Sequence, residues 1–347
     1  QHNWPGNVRE LENVVHSVAL FADGETIGLA ELAELGDILS PPSEASVMAL
    51  IPFDDRDGVI WMNGEMVDWR DAKTHTLSHA LHYGSQVFEG ERAYGGNIFK
   101  SREHTQRLRQ SCRYLDFELP VSDEELDGIK YQVLAANDII DGYVRAFCWR
   151  GSEMMAISAQ KTKIHLAVAA WQWPSYFDPE VKMKGITLDI SDWRRPSAES
   201  APVHAKAAGL YMICTLSKHI AEQKGFQDSL MLDWRGYIAE ATGANVFFLM
   251  RDGTLHTPTP DCFLNGITRQ TVIDMAKARG IEVIERHIEP DELANASEVF
   301  LTGSAVEVTP VKEIGQYNFT PAKITRTLLE AYDEEVRREI PGTLDAA

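Results

Sequence analysis

The chain has 347 residues, 44% apolar and 24% charged, with a net charge of −19 and an isoelectric point near 5.0. That balance suits a globular protein of about two domains and excludes a disordered polyelectrolyte; a field of this sign also repels phosphate backbones and anionic lipid, so no nucleic-acid or membrane partner is expected. No apolar run reaches the roughly twenty residues of a membrane helix and no signal-peptide pattern opens the sequence, which makes the cytoplasm the expected compartment.

In chain order, the pattern begins with two helices. Asn7 precedes Val8, Leu11, Val14, Val15 and Val18 at helical spacing, Glu10 answers the cap, and Asp23-Gly24 closes the run. A shorter pattern from Leu29 to Leu35 stops at Gly36, and residues 40–46, with Pro41 and Pro42, have the composition of a linker. The run from Trp4-Pro5-Gly6-Asn7 to Glu12-Asn13 resembles the helical lid of sigma-54-dependent transcription activators, in which the arginine matching Arg9 senses nucleotide. No G-x-x-x-x-G-K-[ST] phosphate loop accompanies it. Residues 1–47 are therefore expected to be a foreign helical extension, carrying −7 of the −19, and a transcription-regulator fragment is the alternative of a different class.

Further on, Val59-Ile60-Trp61-Met62, Asn63-Gly64 and Glu65-Met66-Val67 read as strand, turn and strand, and Gly95-Gly96 and Arg251-Asp252-Gly253 mark two more hairpins. Periodicity predicts helices over 102–114, 123–137, 210–224 and 268–279, the last two closed by Gly225 and Gly280. Hairpins with helices between them imply an α+β fold with antiparallel sheets. The segment 172–184, with Pro174 and Pro179, divides a small N-terminal domain (48–172) from a larger C-terminal one (185–347), with 173–184 as linker and a ligand expected in the cleft. Cys112, Cys148, Cys214 and Cys262 lack C-x-x-C spacing, so four reduced, buried thiols and no metal are expected.

Three stretches carry chemistry. Lys206 sits in Val203-His204-Ala205-Lys206-Ala207-Ala208-Gly209, where small neighbours leave room for a bulky group to approach the amine; a desolvated lysine is a usable nucleophile and base. Gly266-Ile267-Thr268 opens a helix whose first amides lack internal partners and suit a phosphate. Glu240 lies among small and apolar residues and needs a proton donor or cation beside it. Taken singly, these are ordinarily a solvated lysine, a plain helix start and a structural acid.

Jointly, Lys206, Tyr211, Glu240 and Gly266-Ile267-Thr268-Arg269 resemble the fold-type IV enzymes of pyridoxal 5′-phosphate, over about Ile60 to Pro310. With His79-Ala80-Leu81-His82-Tyr83-Gly84, Val87-Phe88-Glu89-Gly90 and Arg102-Glu103-His104, the sequence is similar to branched-chain amino acid aminotransferases. The resemblance implies a two-domain fold like that of D-amino acid aminotransferase. Lys206 would form the aldimine and carry the proton between Cα and C4′, Glu240 would pair with the pyridine nitrogen, and Tyr211 would bond the ring's 3′ oxygen. Arg107, the amides of Ile267 and Thr268, and Ser304 would hold the phosphate. Tyr143 and the amides of Ser304-Ala305 would hold the substrate α-carboxylate. Tyr83, Phe88, Trp173 and Tyr176 would wall the side-chain pocket, with Arg145 waiting for a distal carboxylate.

The implied reaction is amino transfer between L-leucine, L-isoleucine or L-valine and 2-oxoglutarate, with L-glutamate and pyridoxamine phosphate formed in turn, in a homodimer or higher homo-oligomer. Relatives with the same cofactor, a D-amino acid or (R)-amine transaminase or an aminodeoxychorismate lyase, are the alternatives. The sequence departs from the family pattern at Glu91, where an apolar residue is common, and at Ser304-Ala305-Val306. It departs also over 146–158, expected as a loop near the pocket mouth.

Overall fold

The Asn63-Gly64 turn sets the first pairing. In a computed structural model, which describes residues 52–173 and 179–338, β1 (Val59–Met62) and β2 (Glu65–Asp68) are joined by these two residues at φ 54° and 107°, the positive angles a two-residue hairpin needs. There follow α1 (His79–Tyr83), β3 (Gln86–Phe88), β4 (Glu91–Tyr94), β5 (Asn97–Ile98), α2 (Ser101–Tyr114), α3 (Asp123–Ala136), β6 (Gly142–Arg150) and β7 (Ile164–Gln172). Their seven strands make one sheet in the order β2-β1-β7-β6-β4-β5, with β3 also on β6, and every pair is antiparallel. Val144, Ala146 and Cys148, two residues apart on β6, share the face that buries Leu108 and Cys112 of α2 and Leu126 and Val133 of α3. Ser122 and Glu125 form a capping box that fixes where α3 starts. Residues 146–150, expected within a loop, are strand instead: each pairs with β7, and Phe147 and Trp149 stack at 5.3 Å on the opposite face.

The second half comprises α4 (Pro179–Lys182), β8 (Ile186–Arg195), α5 (Met212–Gln223), β9 (Asp228–Asp233), β10 (Ile238–Ala241), β11 (Asn245–Met250), β12 (Leu255–Pro258), α6 (Ile267–Ala278), β13 (Val283–Arg286), β14 (Ala296–Gly303), β15 (Glu307–Ile314), β16 (Tyr317–Asn318) and α7 (Lys323–Val336). Its nine-stranded sheet runs β10-β9-β8-β15-β14-β11-β12-β13, with β16 on β15. The expectation of purely antiparallel sheets fails here, because β8–β9, β8–β15 and β12–β13 are parallel. A parallel neighbour requires a crossover, and the connections through α5 and α6 supply two of them. This sheet is covered on both faces. Val246 and Phe248 of β11 join one core with Leu188 and Leu301, whereas Phe247 stacks on Phe300 at 5.0 Å in the other, under α6 and α7.

The fold class is α+β, as expected, and the four cysteines are free and buried. Among the described residues no helix is long and apolar enough to cross a membrane. The helices and linker read within residues 1–47, and Tyr176, lie outside the described residues.

Candidate functional site

The crossover from β8 to α5 does not stay with its own sheet. Residues Ala205 and Ala207 are buried in the core of the first sheet. Val87 of β3 bridges Ala207, the Phe88 amide donates to the Lys206 carbonyl at 3.0 Å, and the Lys206 amide donates to Ser111 Oγ at 3.0 Å. With its backbone pinned on both sides, the half-buried Lys206 side chain points into a cavity between the sheets. Its Nζ lies 2.7 Å from the Tyr211 hydroxyl and 5.1 Å from the centre of the Phe88 ring, which itself packs on Tyr211 at 4.9 Å. The cavity, about 730 Å³ including the part open to solvent, is large enough for a cofactor-sized ligand. Arg107, Tyr143, Lys206, Tyr211, Glu240 and the first residues of α6 line it.

At one end stands Glu240, buried on β10. Burial pushes its carboxyl up to about 7, against the opposing pull of Arg195 and Lys206. Arg195 Nε is 3.4 Å from Glu240 Oε1, an ion pair too poorly aligned to be a hydrogen bond. Asn245 Nδ2 donates to Glu240 Oε2 at 3.1 Å, while Asn245 Oδ1 accepts from the Gly266 amide at 3.1 Å. One amide side chain thus ties the buried acid to the start of α6. A Cβ on Gly266 would lie 2.2 Å from that Oδ1, so the position has no room for a side chain. Neither Arg195 nor Asn245 stands out in the sequence; the only trace of the first is the Arg194-Arg195-Pro196 run at the end of β8.

At the other end, the first-turn amides of Ile267 and Thr268 have no intrahelical acceptor, and Gly266 caps the helix with no side chain. Arg107 lines the same cavity from α2. It is no surface cation: its Nε and Nη2 both donate to the fully buried Glu89, each at 2.7 Å. Thr302, Gly303, Ser304 and Ala305 complete this wall. The buried Thr302 Oγ1 has no hydrogen-bond partner among the described residues. Such a group is costly unless a ligand satisfies it.

A third side is aromatic and cationic. Tyr143 is buried between Trp171 (5.0 Å) and Trp173 (5.6 Å), and its hydroxyl accepts from Arg145 Nη2 at 3.4 Å. Arg145 lies over the Phe88 ring at 4.5 Å, and its buried Nε has no partner among the described residues. Gly90 makes this arrangement possible, because a Cβ there would sit 1.8 Å from the Tyr143 hydroxyl oxygen. Trp173 is anchored through its carbonyl, which accepts from Arg92 Nη2 at 3.1 Å. The structure therefore brings Arg107, Tyr143, Lys206, Tyr211, Glu240, Ile267, Thr268, Ser304 and Ala305 around one cavity, with Phe88, Arg145 and Trp173 beside it. Tyr83 is not brought there. It stands on the exposed face of the short helix α1, stacked on His79 at 4.4 Å, outside the cavity of its own chain.

Residues 86–314 match the family model for amino-transferase class IV, and residues 1–41 match that for the AAA+ ATPase lid domain. A branched-chain-amino-acid aminotransferase of Pseudomonas aeruginosa is 38% identical over 285 residues, which are 80% of this chain and 92% of that protein. Among solved structures, the branched-chain amino acid aminotransferase of Escherichia coli superposes with a TM-score of 0.78 at 35% identity, covering 83% of this chain and 98% of that one. A T.th. branched-chain amino acid aminotransferase with pyridoxamine 5′-phosphate gives 0.79 at 39%, covering 82% of this chain and 96% of that one. The latter enzyme complexed with N-(5′-phosphopyridoxyl)-L-glutamate gives 0.78 at 38%, with the same coverage.

Proposed function

Because the chain belongs to the class IV aminotransferases, we propose that it exchanges the amino group of L-leucine, L-isoleucine or L-valine with 2-oxoglutarate, using pyridoxal 5′-phosphate. The observation that carries this reading is the Lys206 amine, 2.7 Å from the Tyr211 hydroxyl, in a cavity that a buried carboxylate, an arginine and the first residues of a helix also line. The Thr302 hydroxyl, which has no hydrogen-bond partner among the described residues, supports a ligand with acceptor oxygens in this cavity. Arg107 and the amides of Ile267 and Thr268, with Ser304, would hold the phosphate. Glu240 would bind the ring nitrogen, which supplies the positive partner its burial calls for. When bound, the cofactor supplies an electrophilic carbon for the amine and an electron sink for negative charge at the substrate Cα.

The chain's residues do the rest. Tyr211 orients the Lys206 amine by hydrogen bonding, and that amine takes the proton from the substrate Cα and returns it on the far side of the exchange. Tyr143, with the amides of Ser304 and Ala305, holds the α-carboxylate, and Phe88 and Trp173 exclude water from the side-chain pocket. Tyr176 would belong to the same wall. Arg145 is the fixed cation that lets an apolar pocket also take glutamate. Replacing it in Arg145→Met is therefore expected to lower kcat/KM for glutamate by about 30–100-fold, the worth of a charge-assisted hydrogen bond, with leucine changed by less than about threefold on the same basis; comparable losses for both would remove Arg145 from this role. In Gly90→Ala the new methyl displaces the Tyr143 hydroxyl. KM for leucine should rise about tenfold or more with the circular dichroism spectrum intact, consistent with loss of one charge-assisted bond.

The division of strands between the sheets supports two domains, 48–172 and 185–347, with 173–184 joining them and 1–47 appended. A homodimer in the cytoplasm is the proposed state. Exposed Leu77, Leu81, Tyr83 and Ile157 make an apolar surface around α1, and in a dimer Tyr83 would wall a neighbouring subunit's pocket. A panel of leucine, D-alanine and an (R)-amine tests the proposal: turnover is expected with leucine and 2-oxoglutarate, and preference for either of the others would assign a different class IV activity.

A further inference from the structure

The stretch Phe88-Glu89-Gly90-Glu91-Arg92 places a fully buried carboxylate two residues from another. Each is expensive to bury unless paired. Glu91 is matched by Lys130 at 2.9 Å, which Thr105 also holds, and this pair faces away into α2 and α3. Glu89 is matched differently. Its two oxygens take the Nε and Nη2 edge of Arg107 in a fork, each at 2.7 Å, and Oε2 also accepts from His104 Nδ1 at 2.7 Å. Burial alone would raise its pKa, but the charge and hydrogen bonds of Arg107, with His104, hold Glu89 well below the usual carboxylate range.

We infer that Glu89 is a positioning residue for the phosphate end of the site: its fork fixes the Arg107 guanidinium so that the remaining Nη1 edge meets the ligand. The inference rests on the reading of Arg107 given above. A free arginine side chain samples many rotamers and loses them on binding; a forked one has lost them already, and two of its five donors are spent on holding its plane. Gly90, the next residue, leaves room for Tyr143, so adjacent positions on one short connection between β3 and β4 set two different ends of the ligand. His104, one turn before Arg107 on α2, holds the carboxylate from the other side.

Two physical effects of Glu89 oppose each other. Its negative charge beside Arg107 weakens the pull on a phosphate, whereas its fork presents the guanidinium correctly. They predict opposite signs for Glu89→Gln, which keeps the size and removes the charge. If positioning dominates, the cofactor-stripped full chain should bind pyridoxal 5′-phosphate about tenfold more weakly than the parent, by spectrophotometric titration, a change of the size a charge-assisted hydrogen bond gives. Pyridoxal, which lacks the phosphate, should change by less than about twofold, since it gains nothing from that bond. Tighter binding of the phosphate ester, or equal weakening of both ligands, overturns the inference. Glu89→Asp retains the charge but draws the fork back by one methylene; it should show the same selective loss, and it decides the matter if the glutamine variant does not fold. Arg107→Gln separates the two readings. If it leaves the ratio of the two affinities unchanged, the phosphate role of Arg107 fails; if it lowers the ratio while both Glu89 variants do not, only the role of Glu89 fails.

Discussion

Lys206→Ala is expected to abolish amino transfer, with turnover down by at least about 10⁴-fold, because in the proposed function this one residue is both the attachment point and the proton carrier, and general acid–base catalysis alone is worth about 10²–10⁴. Among the described residues that line the cavity there is no second lysine. Tyr211 is bonded to the same amine, but its hydroxyl is held beside the Phe88 ring by Lys206 itself. Cofactor binding should survive in weakened form, since Arg107, Glu240 and the α6 amides remain. Single-turnover measurements with leucine check this: a variant that still completes the half-reaction within a factor of about ten of the parent would mean that another base acts, against the expected range for such catalysis. The fold should be unaffected, because the backbone of this segment is held through Ser111 and Phe88 by main-chain groups that alanine keeps.

Glu240→Gln should cost about 10²-fold or more in kcat, as an amide cannot hold a proton on the ring nitrogen and the loss is that of a buried charge-assisted bond at the reacting group. The same substitution should change stability in the opposite direction. In the cofactor-free protein, burial raises the Glu240 carboxyl to about 7, above its value of about 4.3 in an unfolded chain. A raised folded pKa means that the native state binds the proton more tightly than the unfolded state. Its stabilising contribution is therefore fully present below about pH 4.3 and is lost as pH rises through about 7. Glutamine does not titrate. The melting temperature of the cofactor-free variant should gain on that of the parent between these pH values and hold a constant advantage above them. A difference that does not vary with pH would show that Arg195 and Asn245 neutralise the acid fully without a ligand.

Local structure was legible wherever neighbouring residues decide it. The Asn63-Gly64 hairpin, the capped helix at Ser122 and the helix stops before Gly225 and Gly280 all follow from turn and cap chemistry over a few residues. The parallel pairs of the second sheet were not legible. β8 meets β15 across more than a hundred residues, and no local pattern encodes that partner. The same distinction holds in the site. Lys206, Glu240 and the α6 start stand out because small residues and glycines surround them. Arg195 and Asn245 act by bonding residues that folding brings near, and Glu89 was read only as part of a motif, since a buried fork to Arg107 is invisible until α2 packs on β3. Tyr83 differs in kind: it is exposed on α1 and lies outside its own chain's cavity, so any pocket it walls belongs to a second subunit, a relation that no local pattern encodes.

In the proposed function Lys206 is the residue that takes the cofactor. Borohydride reduction of the purified protein, followed by peptide mass analysis, tests it directly. The visible absorption of the bound cofactor should disappear, and the cofactor's mass should be fixed on the peptide containing Lys206. A reduced cofactor attached to a different lysine, or a protein that takes up no pyridoxal phosphate, would remove Lys206 from this role.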